Sequence, residues 1–451
     1  MSPPSGEWYA GHMGRVSLLV VTGLAAACSH PRAEAVESVV AAYEAAAPEI
    51  RWPGFDPMTV PLILYDDANT YLIRHPAAPG SFRRMRGANG VLVADTLFPG
   101  LRANTDVDFE GTRTAVAGLA EGDVDPVAGA AVLMHEAFHA FQTEARPDWV
   151  ANEADLFGYP YRSARLLELR RLEGGALRRA ISAPDSVREL CWAKEFLRVR
   201  AERFRRLPEP AVAYERANEL REGLARYVQR LVAGGEPAIP SDGFRPEDVR
   251  ERTYETGSAL ALLLDRLAPG WKGALMDASD GASLEGALGA AIGPVSVRAC
   301  RAGPDEAART RSLARSDSAD LVERDRRALA EFQDAPGWRV EIVSGAERLQ
   351  VGRFDPLNVR PLGDRIVLHS RWVTATTESL DAEVVDRTAL TVGDPGHPLF
   401  AGLARLTVTG LREPAVEQRG DTISIRGDGL TVRAVGATLE RDGQTIRVLG
   451  R

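Results

Sequence analysis

Cysteine is nearly absent: there are three in 451 residues, at positions 28, 191 and 300. That excludes a cysteine-ligated zinc ribbon or iron–sulfur centre, which needs closely spaced pairs, and a disulfide-stapled miniature domain. Positive charge is not in excess either. Fifty-five Lys and Arg stand against 63 Asp and Glu, a formal net charge of −8. No basic block breaks that balance, which excludes a protein that tracks nucleic-acid phosphates. No apolar run is long enough to cross a bilayer as a helix. No Walker loop, no Gly-x-Gly-x-x-Gly after a strand and no Gly-x-Ser-x-Gly elbow occurs. Nucleotide-dependent and serine-hydrolase chemistries therefore have no footing in this chain.

What is present is globular: 45% apolar and 26% charged residues, over a length that suits two or three domains. Near the N-terminus one short apolar run, Leu18 to Ala27, follows Arg15 and ends in Leu24-Ala-Ala-Ala-Cys28. A charged start, an apolar middle and a small-residue end mark a secretory signal. The ending resembles a bacterial lipoprotein signal, with Cys28 as the lipidated residue, although the leucine sits one place earlier than usual. Residues 1–28 are therefore expected to be a signal. The body is expected to be exported and lipid-anchored to a bacterial membrane, facing the periplasm or the cell surface. In that setting Cys191 and Cys300 can join, and two separate buried thiols suit their spacing equally.

Residues 34–48 read as an amphipathic helix. VPLILYD, TYLIRH, GVLVAD and TRTAVAGL read as short strands, so 34–120 is expected to be a small α/β region. From 121 to 335 the period is helical, with helices expected at 161–181, 186–206, 210–233, 246–267 and 304–333. The arginine-rich runs at 165–179 and 198–206 read as solvated helix faces balanced by glutamate. From 336 to 451 short alternating runs such as WRVEIV, ARLTVTGL and TIRVLG predict an all-β domain, a sandwich or open barrel. The expected fold class is α+β and multidomain. FDPMTV at 55–60 echoes FDPLNV at 354–359; Asp-Pro favours turns, and the echo reads as two similar turns entering strands.

The chemistry concentrates on one helix. Asp125-Pro126 suits its start, aspartate as N-cap and proline in the first position. Val127, Ala130, Ala131, Met134, Phe138 and Phe141 recur at steps of three and four, giving one apolar face. On this helix Met134–Ala140 reads MHEAFHA. His135 and His139, four apart, lie one turn above the other and can share a Zn²⁺. Glu136, on a neighbouring side, is placed to act as general base on a metal-activated water. The chain has only seven histidines, so a random match to this pattern is rare. Gln142, seven positions after His135, is a candidate partner for a histidine N–H. His75, His369 and His397 fall outside the helical region and read as surface or strand histidines.

A catalytic zinc takes three protein ligands and leaves one position open. Downstream, Asn218–Tyr227 reads NELREGLARY, with Glu222, Gly223, Ala225 and Tyr227 in the form Glu-Gly-x-Ala-x-Tyr. With HExxH upstream, this resembles the gluzincin metallopeptidases, in which a glutamate on a second helix completes the site. The resemblance implies a zincin-like core over 121–335, one zinc held by His135, His139 and Glu222, and peptide or protein substrates. It departs from the best-known members in the interval from His139 to Glu222, 83 positions here (222 − 139). That gap keeps Glu153, Asp155 and Glu219 in contention as third ligand. A tyrosine, Tyr254 or Tyr227, is expected to face the oxyanion. The sheet region is expected to supply a strand along the cleft, within 60–75, for an extended peptide. The expected function is an exported zinc metallohydrolase, a peptidase, with Glu136 as base. The alternative is a surface or periplasmic binding lipoprotein whose zinc is structural or silent; a scaffold without metal requires both motifs to be accidents.

Overall fold

The continuous apolar runs near the N-terminus pair into one mixed sheet. The computed structural model describes residues 32–98, 103–119, 124–278, 281–293, 295–363, 365–393 and 396–450; the expected signal with Cys28 lies outside them. The sheet holds β1 (Leu62–Tyr65), β2 (Thr70–Ile73), β3 (Arg83–Arg84), β4 (Val91–Ala94), β5 (Thr105–Phe109) and β6 (Thr112–Gly118), in the order β3-β4-β2-β1-β6-β5. β1 and β6 run parallel; the other neighbours are antiparallel. Leu62, Leu64, Tyr71 and Ile73 face the main core, shared with helices α1 (Ala33–Ala46) and α2 (Pro126–Ala145). Ile63, Leu72, Phe109 and Val116 form a smaller cluster of their own. This two-sided burial explains why these strands read as apolar runs rather than alternations. Among the described residues β5 pairs with β6 alone and forms an edge of the sheet.

The helical region follows: α3 (Ala164–Ile181), α4 (Ser186–Phe204), α5 (Glu209–Asn218), α6 (Leu224–Ala233), α7 (Val249–Leu267), α8 (Trp271–Asp277), α9 (Leu284–Ile292) and α10 (Pro304–Gln333). Between α5 and α6 the chain widens into a π-helical turn, Glu219–Gly223. α3 and α4 pack on each other and fill the long interval between the histidine helix and Glu222, with α10 against α3. Cys191 of α4 is bonded to Cys300, in the segment that leads into α10. Of the two readings the sequence left open, the structure has the disulfide.

The arginine runs are not all solvated, and here the sequence reading needs correction. Arg165 and Arg198 are exposed at their guanidinium ends, but Arg200 and Arg203 are buried, 1% and 0% exposed. Arg200 donates to Glu173 at 2.9 Å and to both oxygens of Glu219 at 2.6 and 2.7 Å. Arg203 grips both oxygens of Glu215 at 2.6 and 2.7 Å. A charge survives burial when every donor and acceptor is paired with good geometry. The packing of further helices over α4 covers a face that the α3–α4 pair alone would leave wet.

The change from helix to strand falls between Gln333 and Trp338. Beyond it, a seven-stranded and a six-stranded sheet face each other across a shared core that includes Val340, Ile342, Val373, Val384, Leu406 and Ile425. The pairings are antiparallel, apart from the last strand, Thr445–Leu449, which runs parallel to Trp338–Val343. Asp325 of α10 ties this β sandwich to the helices, taking Arg162 at 2.5 Å and Arg360 at 2.8 Å. The echoed FDP stretches are each a single 3-10 turn, Pro57–Thr59 and Pro356–Asn358. Among the described residues, no helix is long and apolar enough to cross a membrane.

Candidate metal centre

Asp125 caps α2 as its position suggests: Oδ1 accepts from the backbone of Val127 and Ala128 at 2.9 and 3.2 Å. Ala130, Leu133, Met134, Ala137 and Phe138 bury the apolar face of α2 in the main core. His135, Glu136 and His139 line a cleft of about 390 Å³ on another side of the helix. Glu222 enters that cleft from the π turn. A wide turn shifts the phase of the side chains around the helix. Glu219 goes into the buried Arg200 pairing and accepts from Thr256 at 2.7 Å, while Glu222, three residues on, faces the histidines.

Two glycines bring the second helix close to its neighbour. A Cβ on Gly223 would lie 2.6 Å from Gly257 Cα of α7, and one on Gly257 would lie 2.7 Å from Glu219 O. The π turn and α7 therefore touch backbone to backbone, and Tyr254, one turn before Gly257, reaches the same cleft.

His139 Nε2 lies 3.0 Å from His135 Nε2 and 3.2 Å from Glu222 Oε2, and His135 Nε2 lies 3.6 Å from the same oxygen. Around an ion held at about 2.0–2.1 Å, tetrahedral ligands stand about 3.3–3.4 Å apart. The three observed separations straddle that edge, so the donor set and its spacing fit a small tetrahedral cation. A His-His-Glu cluster able to hold a metal ion is thus present. His139 Nδ1 is fixed by Gln142 Oε1 at 2.8 Å, and the Gln142 amide donates to the carbonyls of Leu220 and Arg221 at 2.9 and 3.1 Å. Gln142, fully buried, thereby sets the tautomer that leaves His139 Nε2 free to ligate and joins the two helices. His135 Nδ1 has no hydrogen-bond partner among the described residues.

Burial is the first influence on His135, Glu136, Glu222 and Tyr254. It lowers His135 to about 4, which keeps its imidazole neutral as a ligand must be. It raises Glu136 to about 7, suited to a group that takes and returns a proton near neutrality. Burial also opposes the Glu222 anion, but the neighbouring His135 and His139 outweigh it and hold the carboxyl well below the usual range. Burial, the Glu222 charge and a hydrogen bond to it push the Tyr254 hydroxyl well above its ordinary value. The Tyr254 ring stacks along His135, 6.4 Å between centroids.

The other candidates go elsewhere. Glu153 stands 3.5 Å from the Tyr214 hydroxyl and 3.9 Å from Arg250. Asp155 accepts from Asn152. Tyr227 donates to Asp265 at 2.5 Å and accepts from Lys272 at 2.7 Å, and it does not line the cleft. His75 meets the carbonyl of Phe109, and His397 caps a short helix. His369 is a buried strand residue, 3.0 Å from Thr391 Oγ1. The strand beside the cleft is β5, with Asn104 just ahead of it, not a strand within 60–75; β1 and β2 lie inside the sheet, with partners on both sides.

Four charged neighbours of the site were missed from the sequence: Asp106, Arg221, Arg226 and Arg250, all lining the cleft. Asp106 accepts from Thr143 of α2 and from Arg221, both at 2.9 Å, and so clamps β5 to the two helices of the centre. Helical spacing held a signal for the other two: Arg226 is four after Glu222, and Arg250 four before Tyr254. Compared with protein-family models, curated proteins and solved structures, the chain finds no match.

Proposed function

We propose that the chain is a zinc-dependent metallohydrolase of gluzincin type that cleaves peptide bonds. The observation that carries the reading is the convergence of His135, His139 and Glu222 at 3.0, 3.2 and 3.6 Å in the cleft that Glu136 also lines. A structural zinc site is closed by four protein ligands. Three ligands beside a buried glutamate suit catalysis better than the alternative of a binding lipoprotein with a structural or silent site.

His135, His139 and Glu222 would hold the zinc, which supplies a Lewis acid that acidifies water. Glu136 takes the proton from the attacking water and returns it to the leaving amine. Tyr254 donates its hydroxyl hydrogen bond to the oxygen that gains charge. Asp106 holds β5 in place as the wall along which an extended peptide would pair. Export and lipidation at Cys28 belong to the same proposal, and the Cys191–Cys300 disulfide supports the export, since such bonds persist in oxidising compartments.

The test is metal content and peptide hydrolysis of the purified chain beside Glu222→Ala and Glu136→Gln. The expected result is about one zinc per chain, lost in Glu222→Ala and kept without activity in Glu136→Gln. A chain that takes up no zinc after loading ends the metallohydrolase reading.

A further inference from the structure

Three arginines line the cleft, and they are not partnered alike. Arg221 is satisfied, with Asp106 at 2.9 Å and Thr143 at 3.0 Å. Arg226 has no close carboxylate: Glu251 and Glu255 both stand at 3.8 Å. Arg230 and the backbone of Ala238 take Glu255 Oε2, and its Oε1 is the oxygen that stands 3.8 Å from Arg226. The Arg226 guanidinium reaches only Gln229 at 3.3 Å, and its buried Nε has no hydrogen-bond partner among the described residues. Arg250 lies 3.9 Å from Glu153 and 3.5 Å from Glu222 Oε1, and its side chain is 53% exposed. Charge-assisted pairs with good geometry close to about 2.7–2.9 Å, so both guanidiniums stand only in loose ion pairs, at 3.5–3.9 Å, and neither is closely paired to a carboxylate among the described residues.

Position strengthens the point. The two guanidiniums stand 5.4 and 5.7 Å from the centre of the Tyr254 ring. Tyr254 would face the reacting carbonyl, so a charge recognised there belongs to the substrate close to the scissile bond. The charge balance of the lining agrees. Arg221 cancels Asp106, and a dication between the histidines would be cancelled by Glu222 and Glu136. Among the lining residues Arg226 and Arg250 are what is left over, with Glu153, Glu251 and Glu255 3.8–3.9 Å behind them, outside the lining, in a cleft whose low-dielectric walls strengthen their field.

We infer that Arg226 and Arg250 form a carboxylate-recognising subsite, so that the preferred substrates are peptides with an anionic group beside the scissile bond. This rests on the hydrolase reading for the term substrate, and on the two arginines for the anion. The carboxylate is either an acidic side chain or a free C-terminus; both present the same planar group to a guanidinium.

The experiment measures binding by calorimetry to zinc-loaded, full-chain Glu136→Gln. The probes are acetylated, amidated alanine pentapeptides with one Glu, Gln or Lys at each position in turn, and the alanine peptide with a free C-terminus. Wild-type hydrolysis of the same set is followed in parallel. The expected result is binding of a Glu peptide or the free acid about tenfold tighter than its Gln or amide counterpart. That preference should be lost on adding Arg226→Gln or Arg250→Gln and turn toward Lys on adding Arg250→Glu. A Glu peptide that wins identifies a side-chain carboxylate; the free acid alone identifies a C-terminus. Equal binding of acidic and neutral peptides, or a preference that survives both Arg→Gln changes, overturns the inference while neutral-peptide hydrolysis keeps the peptidase. Tight acidic binding with no hydrolysis of any peptide does the reverse. Absence of any binding overturns the inference.

Discussion

The contact between Gly223 and Gly257 makes the metal centre sensitive to a single methyl group, and Gly223→Ala is the change to make. The new Cβ would lie 2.6 Å from Gly257 Cα, whereas carbon atoms rest at about 3.5 Å or more. The π turn and α7 must therefore part by about 0.9 Å. Overpacking of this kind costs about 1–3 kcal/mol. The second consequence is specific to the site. Gly223 follows Glu222 directly, so the ligand moves with it, and metal–ligand distances tolerate only about 0.2 Å. Zinc affinity should fall about tenfold or more, on the order of the loss expected when a ligand's support is removed. Urea melts and chelator competition read the two effects separately. Gly273→Ala in α8 is the control, since a Cβ there meets nothing within 4 Å and alanine favours a helix by about 0.5–1 kcal/mol. A Gly223→Ala chain with unchanged midpoint and unchanged zinc affinity refutes the reasoning. A lower midpoint with normal zinc affinity would keep the packing argument and sink the link from packing to ligand.

Gln142→Ala removes the acceptor of His139 Nδ1 and should weaken zinc about 10–100-fold, read by the same chelator competition. Tyr254→Phe should cut kcat about 10²–10³-fold with little change in KM; a kcat within a few-fold of wild type would remove Tyr254 from the reaction. Arg200→Met leaves Glu219 buried without its arginine, while Glu173 keeps Arg203, and should cost about 3–5 kcal/mol in urea unfolding, against under about 1 kcal/mol for a solvated arginine. His369 gives the pH dependence. Burial lowers its imidazole to about 4 from an unfolded value near 6.5, so between those values the unfolded chain binds more protons. Stability is then full above about pH 6.5 and lost as pH falls toward 4, by up to about 3 kcal/mol. His369→Gln should flatten that part of the slope in melts taken from pH 7 to 4.5, and an unchanged slope would show that other groups set it.

Much of the fold was written in period and punctuation. Asp125-Pro126 announced α2, and 304–333 carried a helical period matched by α10 at Pro304–Gln333. The α+β class follows from the same patterns. β5 escaped because TDVDF places aspartate at two of five positions, and aspartate is depleted in strands; Asp108 is exposed and Asp106 is paired with Thr143 and Arg221, which is what tolerates them. The burial of Arg200 and Arg203 escaped because a composition of Arg and Glu reads alike on a solvated face and in a paired interior. Only the tertiary partners, α3 on one side and the π turn on the other, distinguish the two. At the site, the His-Glu-x-x-His spacing was legible because helix geometry is local. The choice between Glu219 and Glu222 was not, since it turns on a π turn whose extra residue re-aims both carboxylates.

The disulfide closes a covalent ring from 191 to 300. Glu222, Arg226, Arg250 and Tyr254 lie inside that ring; His135, Glu136 and His139 lie on the open chain before it. In the chain-entropy account, a ring of this size removes about 5 kcal/mol of freedom from the unfolded state. Once formed, the bond restricts one half of the centre even in the unfolded chain, while the histidine helix lies outside the ring. A reducing environment would lengthen the search without touching a single ligand, making redox state a determinant of how readily the centre assembles.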